Sequence, residues 1–273
     1  MMLCKKALEE TSGDMDKAVE NLRKQGEATM AKRAGKEAKE GTIAVFDGPT
    51  AAVMLEVNSE TDFVARNEDF VAFVKALGQL LLEQQPDSMD AALALSSDAF
   101  GGQTVEAKLL ELTGRIGERI TFRRFHVERC EASERVLSYV HGGGKIGVLV
   151  KLRAANAEAV GSEAATALGR DCAMQVAAAN PMAVSRADIP EETVAKEKEI
   201  YLTQAQNSGK PEKVWERIVD GKLGKFYQQV VLLEQEYIKD TDMKVADRVK
   251  QAGKECGAEL TVVTFTRYER GIE

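Results

Sequence analysis

Few side chains in this chain of 273 residues could do covalent chemistry, and they do not converge. The histidines are His126 and His141; the cysteines, Cys4, Cys130, Cys172 and Cys256, lie far apart with no pair at metal-ligand spacing. A zinc site or a Ser-His-Asp hydrolase therefore has too few ligands or bases to draw on. Dispersed cysteines read as reduced packing thiols rather than as a disulfide framework. One run, His141-Gly142-Gly143-Gly144-Lys145, invites a phosphate-loop reading, because glycines let backbone N–H groups approach an anion. That motif needs a longer loop, a Lys-Ser/Thr pair and a helix, whereas a strand pattern follows the lysine here. A hairpin turn accounts for the glycines, and no cofactor or metal is expected.

What remains is a corner suited to binding rather than to bond-making. Residues 51–57 are apolar with β-branched members, and Phe70, Phe73, Val74, Leu77 and Leu81 follow at helical spacing. Between the two patterns sits Thr61-Asp62-Phe63-Val64. Thr and Asp suit a helix start, since their oxygens can accept from backbone N–H groups that lack partners. Phe63 is either a staple tucked under the helix or an anchor projecting toward a partner, and the residue types alone favour the staple.

Composition fits a soluble globular factor with one full core or two smaller ones: 44% hydrophobic and 30% charged residues. The net charge of −7 is spread with both signs interspersed, and aromatic residues make up 5%, so no nucleic-acid surface is expected. No apolar run approaches the ~18 residues of a membrane helix, and the first residues lack a signal-like segment, so a cytoplasmic location is expected.

Along the chain, residues 1–26 read as two short helices, with Gly13 ending the first, Asp14 capping the second and Gly26 stopping it. Residues 27–40 read as a solvated helical linker. Strands over 42–47 and 51–57 flank Gly48-Pro49, followed by a helix over 67–84, a variable stretch, a helix over 104–113 and a strand over 119–128. Strands over 135–141 and 145–152, an alanine-rich helix, a helix over 245–256 and a strand over 259–268 repeat that plan. Between the last two helices, residues 191–205 and 212–233 read as a helical hairpin around Gly209-Lys210-Pro211. Trp215 on this hairpin is a hot spot or a packing residue.

Thr61-Asp62-Phe63-Val64-Ala65-Arg66-Asn67, preceded by Leu55-Glu56-Val57-Asn58, resembles the signature of the elongation factor Ts family, the nucleotide-exchange factors of the GTPase elongation factor Tu. Tyr139 to Val150, and Met1 to Leu8 with Gly13-Asp14 and residues 19–24, extend the resemblance. It implies an α+β fold: ubiquitin-associated-like N-terminal helices lacking their first helix (1–26), a linker (27–40), a core of two antiparallel-sheet and helix half-repeats (41–130 and 131–273), and an inserted coiled-coil arm at about 188–239. It also implies contacts with elongation factor Tu by Thr61, Asp62, Phe63, Val64, Ile116, His141, Gly142 and Ile238, and by Met1, Met2 and Lys5, with Leu3 standing where the family carries Asp. The Asp-Phe pair would work near the GTPase's magnesium and phosphates, without covalent chemistry, and the arm could pair two copies. A non-catalytic scaffold binding through the N-terminal helices and arm is the alternative.

Overall fold

The computed structural model describes residues 2–33 and 35–272. Its first helices are α1 (Met2–Glu10) and α2 (Met15–Arg33). Gly13, at φ 85°, ends α1 with its N–H on the Leu8 carbonyl, and Asp14 Oδ1 accepts from the Lys17 N–H at 3.1 Å to open α2. The expected stop at Gly26 is corrected: α2 runs on to Arg33. A single internal glycine costs a helix only about 1 kcal/mol, and Arg33 is pinned by Glu60, so the linker shrinks to the residues around 35–39.

The first sheet is built from β1 (Glu40–Asp47), β2 (Ala51–Ser59) and β3 (Thr121–Arg129) in the order β1-β2-β3, with both pairs antiparallel. Between β2 and β3 lie α3 (Asp62–Ala65), α4 (Glu68–Gln84), α5 (Met89–Ala94) and α6 (Val105–Ile116). Asn67 opens α4 by accepting from the Asp69 and Phe70 N–H groups, and Gln85 closes it in a left-handed conformation. The short α5 was not anticipated. Its six residues are capped by the Ser88 hydroxyl but are too few to carry a readable helical period. Phe70, Phe73, Leu77 and Leu81 of α4 meet Val53, Leu55 and Val57 of β2 and Leu109 and Leu112 of α6 in one core.

The second sheet is built from β4 (Glu134–His141), β5 (Ile146–Ala154) and β8 (Leu260–Glu269) in the order β4-β5-β8. Within the intervening chain come α7 (Ala157–Gly161), α8 (Glu163–Ala179), the helical hairpin α9 (Glu191–Gln206) and α10 (Trp215–Val230), the short strands β6 (Glu236–Tyr237) and β7 (Asp240–Lys244), and α11 (Val245–Cys256). In both sheets a sequential hairpin takes its third strand beside the second strand, after an intervening run of helices. The β6–β7 hairpin was not anticipated, its strands being too short and polar to show alternation.

The chain separates into two compact units, residues 1–129 with 140–147 and 268–273, and residues 130–139 with 148–267. A single cut near residue 130 thus misassigns two pieces to the second unit. The tip of the β4–β5 hairpin belongs with β1 because the Ile43 N–H donates to the Gly144 carbonyl at 2.9 Å. The C-terminal turn belongs there because Arg270 pairs with Glu40 and donates to the Gly41 carbonyl. In the second unit α9 and α10 bury Ala205, Val219 and Leu223 between them, with Trp215 packed alongside and its Nε1 donating to the Lys210 carbonyl at 2.9 Å. Trp215 is a packing residue of the helical hairpin.

Each unit carries a helical glycine onto which a strand side chain packs. A Cβ on Gly78 of α4 would lie 2.0 Å from the Phe46 ring, and one on Gly169 of α8 would lie 2.4 Å from Leu137 Cγ and 2.8 Å from its Cβ. Phe46 is a half-buried ring that can swing, whereas Leu137 is buried and its blocking atoms are near the backbone. Both alanine substitutions lower stability by about 1–3 kcal/mol, as overpacked cores do. Gly169→Ala is expected to cost more than Gly78→Ala, as read from urea unfolding midpoints.

Candidate functional site

Where β2 ends, the chain turns through Ser59-Glu60-Thr61 into the four-residue helix α3. Successive residues of a helix point about 100° apart, and Val64 is the one aimed into the core, at 8% exposure. Phe63, one position earlier, is thereby turned out and is 82% exposed. The staple reading of Phe63 is overturned: Val64 fills the apolar place beneath the corner, and Phe63 is the most exposed large apolar side chain of the described residues. Asp62 is half exposed and lies 3.2 Å from Arg66, one helical turn on.

The corner is braced from below by two carboxylates. Glu118 takes both donors of Thr61: the backbone N–H reaches Oε2 at 3.0 Å and the hydroxyl reaches Oε1 at 2.8 Å. Thr61 therefore occupies the helix N-cap position without capping it, a correction to the expected role of its hydroxyl. Glu60 accepts from the Arg33 guanidinium at 2.7 Å on each oxygen and from the Arg119 N–H at 2.7 Å. Burial works against the charged form of Glu60, but the Arg119 N–H and the Arg33 guanidinium outweigh it and hold the carboxyl below the ordinary glutamate range. The Ser59 hydroxyl adds a bond to the Thr61 carbonyl at 2.8 Å.

The glycine run forms the turn between β4 and β5, as the strand pattern after Lys145 requires. Gly142, Gly143 and Gly144 have φ of 60, 65 and 91°, a left-handed path that glycine takes without strain. A Cβ on Gly144 would lie 2.1 Å from Thr42 Oγ1, so the turn is seated directly on β1. His141 and Gly142 are exposed at this tip. Glu40 pairs with Ser59, and the tip touches the same strand at Thr42 and Ile43, so the first unit carries the corner and the tip at one end of β1.

The other residues singled out by resemblance are dispersed. Ile116 ends α6 half-buried against the first unit's core. Lys5 is exposed and 3.7 Å from Glu9. Met1 lies outside the described residues, and of Met2 only the backbone, in α1, is described. Ile238, 42% exposed, sits at the turn between β6 and β7 in the second unit. That turn is held by α8: Gln175 Oε1 accepts from the Ile238 N–H at 2.9 Å, and Asp171 accepts from Lys239 Nζ at 2.6 Å. Burial and the Asp171 carboxylate push the neighbouring Tyr237 hydroxyl up to about 12. Cys172, next to Asp171 in sequence, is raised to about 12 by burial and the same carboxylate, and is a packing thiol.

The profile of the family described as Elongation factor TS matches residues 60–272, from the braced corner to the C-terminal turn. The chain belongs to the elongation factor Ts family. The elongation factor Ts of Chloroherpeton thalassium is 47% identical over 274 residues, covering 99% of this chain and 93% of the relative. Those of Prosthecochloris aestuarii and Clostridium perfringens are 46% and 43% identical, over 99% of this chain and 93% and 88% of their own lengths. Membership makes the chain a translation elongation factor. No helix among the described residues is long and apolar enough to cross a membrane.

The chain thus presents an exposed Asp-Phe pair and an exposed histidine tip from one unit. What the sequence did not disclose is the bracing: Glu60, Glu118, Arg33 and Arg119 look like ordinary surface charges in sequence. Glu56 and Asn58 did leave a signal, as polar residues in a mostly apolar strand whose nine residues are all buried.

The lowered Glu60 carboxyl has a consequence for stability. A depressed folded value contributes stability above the ordinary glutamate value of about 4.3, and that contribution is lost as pH falls through the folded value. The stability advantage of the wild type over Glu60→Gln is therefore full at pH 6 and shrinks steadily below about pH 4.3, as read by urea unfolding across that range.

Proposed function

We propose that this chain is a guanine-nucleotide exchange factor that binds elongation factor Tu carrying GDP and speeds GDP release, acting by protein–protein binding without covalent chemistry. The observation that carries the reading is Phe63, an almost uncovered aromatic on a corner whose backbone is fixed by two carboxylates. Aromatic anchors of this kind dominate interface energetics when they enter a partner's pocket. Phe63 would wedge beside the magnesium and phosphate side of the GTPase nucleotide site. Asp62 would exchange its contact with Arg66 for donors at the rim. Thr61 and Val64 act from beneath, through the brace and the core, rather than as contacts.

Exchange requires that the nucleotide-free partner be bound more tightly than the GDP form, and by linkage the factor then weakens the binding of GDP by the same ratio. His141 with Gly142, Ile116, the N-terminal residues Met1, Met2 and Lys5, and Ile238 are read as further grips that hold the wedge in place. We read α1 and α2 as the ubiquitin-associated-like module, the two sheet-and-helix units as half-repeats, and α9–α10 as the arm, through which two copies could pair in a 2:2 complex. No nucleic-acid partner is proposed, and the site of action would be the cytoplasm.

Release of fluorescent GDP from a bacterial elongation factor Tu tests the reading. The wild type is expected to accelerate it. Phe63→Ala is expected to weaken binding of the nucleotide-free GTPase by about 2 kcal/mol, roughly thirtyfold. Asp62→Ala should cost less and lose most of its effect in high salt. Binding that is equally tight with and without GDP, and no acceleration, would replace exchange by a scaffold role.

A further inference from the structure

Glu118 lies outside every element, in the loop after α6, yet it is the residue on which the Thr61-Asp62-Phe63 corner rests. Gly117 stops α6 in a left-handed conformation, φ 82°, with its N–H on the Thr113 carbonyl at 2.8 Å, and this reversal delivers the next side chain to Thr61. The two carboxylate oxygens are divided between the two donors of one residue: Oε2 takes the Thr61 N–H at 3.0 Å and Oε1 takes its hydroxyl at 2.8 Å. Thr61 immediately precedes Asp62 and Phe63, and the same backbone N–H stands at the head of α3, where intrahelical partners are lacking. Its hydroxyl donates to Glu118 and makes no cap hydrogen bond to α3; the orientation of the first turn comes from outside the helix. Charge-assisted bonds of this kind are shorter and stronger than neutral ones.

We propose that Glu118 is a positioning residue for exchange: it fixes the path of Thr61 so that Phe63 is presented in one orientation before any partner arrives. The proposal rests on the exchange reading of Phe63. Glu118 itself touches no nucleotide or partner; its effect passes through Thr61 to Phe63. Without it the corner samples several orientations, and ordering it becomes part of the cost of binding. Glutamine can keep part of the arrangement, its amide oxygen accepting from the Thr61 N–H while its amide nitrogen donates to the hydroxyl oxygen.

The test combines two readouts on the full chain. In the free protein, hydrogen exchange of the Thr61 amide is expected to speed up in Glu118→Ala and to be partly restored in Glu118→Gln, with the thermal unfolding midpoint tracking global stability alongside. In GDP release from elongation factor Tu, Glu118→Ala is expected to lower the second-order rate constant about tenfold, with Glu118→Gln intermediate. Combined with Phe63→Ala, Glu118→Ala should add almost nothing, because the residue it positions is gone; a merely structural role would lower both backgrounds by the same factor. Equal, additive losses overturn the proposal while leaving the exchange reading intact, and so does an unchanged Thr61 amide. No acceleration by the folded wild type overturns the exchange reading and the proposal with it, whatever the amide shows.

Discussion

The first unit depends on one buried carboxylate. Glu56 is fully enclosed at the centre of β2, where an unpaired charge would cost several kcal/mol. Its partners come from three directions: Arg124 Nε of β3 at 2.8 Å, the Asn58 side chain at 2.9 Å and the Gly271 N–H at 2.8 Å. Asn58 passes the connection to the Glu40 carbonyl of β1, and Arg124 donates onward to the Glu269 and Ile272 carbonyls while lying over the Tyr268 ring. Taking away Arg124 leaves Oε2 unmet, while Asn58 and Gly271 share Oε1, so the three strands and the C-terminal turn are held as a set. This buried network makes the register of β2 unambiguous. A slip of one residue would turn Glu56 away from Arg124 and into the α4 core.

From that fixed strand the corner follows by short steps. β2 delivers Ser59, Glu60 and Thr61 at a defined place, Arg33 of α2 and Glu118 and Arg119 of the α6–β3 loop hold them, and Val64 anchors the first helical turn in the core. Each step uses a different interaction, and all converge on keeping Phe63 in the open. The hairpin tip is placed by the neighbouring strand β1, through a glycine at which any side chain would collide with Thr42.

Much of this arrangement was legible in the sequence, and the failures have physical causes. Long helices and strands with clear periods, such as α4, α6, β1 and β2, stand where periodicity puts them, because their apolar residues have one core to face. Gly26 misled because a glycine flanked by good helix formers is tolerated when the far end of the helix is tied down, as Arg33 ties it to Glu60. Phe63 misled because burial statistics treat an aromatic as core by default, while the decision turned on its neighbours: Val64 fits beneath the four-residue helix with Ala65 packed beside it, and Phe63 is left on the outer face. The carboxylate brace was invisible because its members are separated by 27 to 59 positions along the chain and only the fold brings them together.

An exposed phenylalanine on a rigid support has a thermodynamic meaning of its own. Burying such a ring contributes about 2–3 kcal/mol, so a fold that leaves Phe63 uncovered forgoes that stabilisation, which on the exchange reading goes to the partner. Rigidity decides how much of it reaches the complex, since each side chain or loop ordered on binding takes back about 0.5–1.5 kcal/mol. On the exchange reading, rigidity also decides selectivity. A mobile Phe63 could settle against the GTPase in either nucleotide state and would distinguish them poorly, and a ligand with equal affinity for two states shifts neither. A braced Phe63 offers one shape, which fits the state that has made room for it. On that reading the carboxylates beneath the corner would supply discrimination as well as affinity, by denying the aromatic ring the freedom to accommodate the nucleotide-bound form.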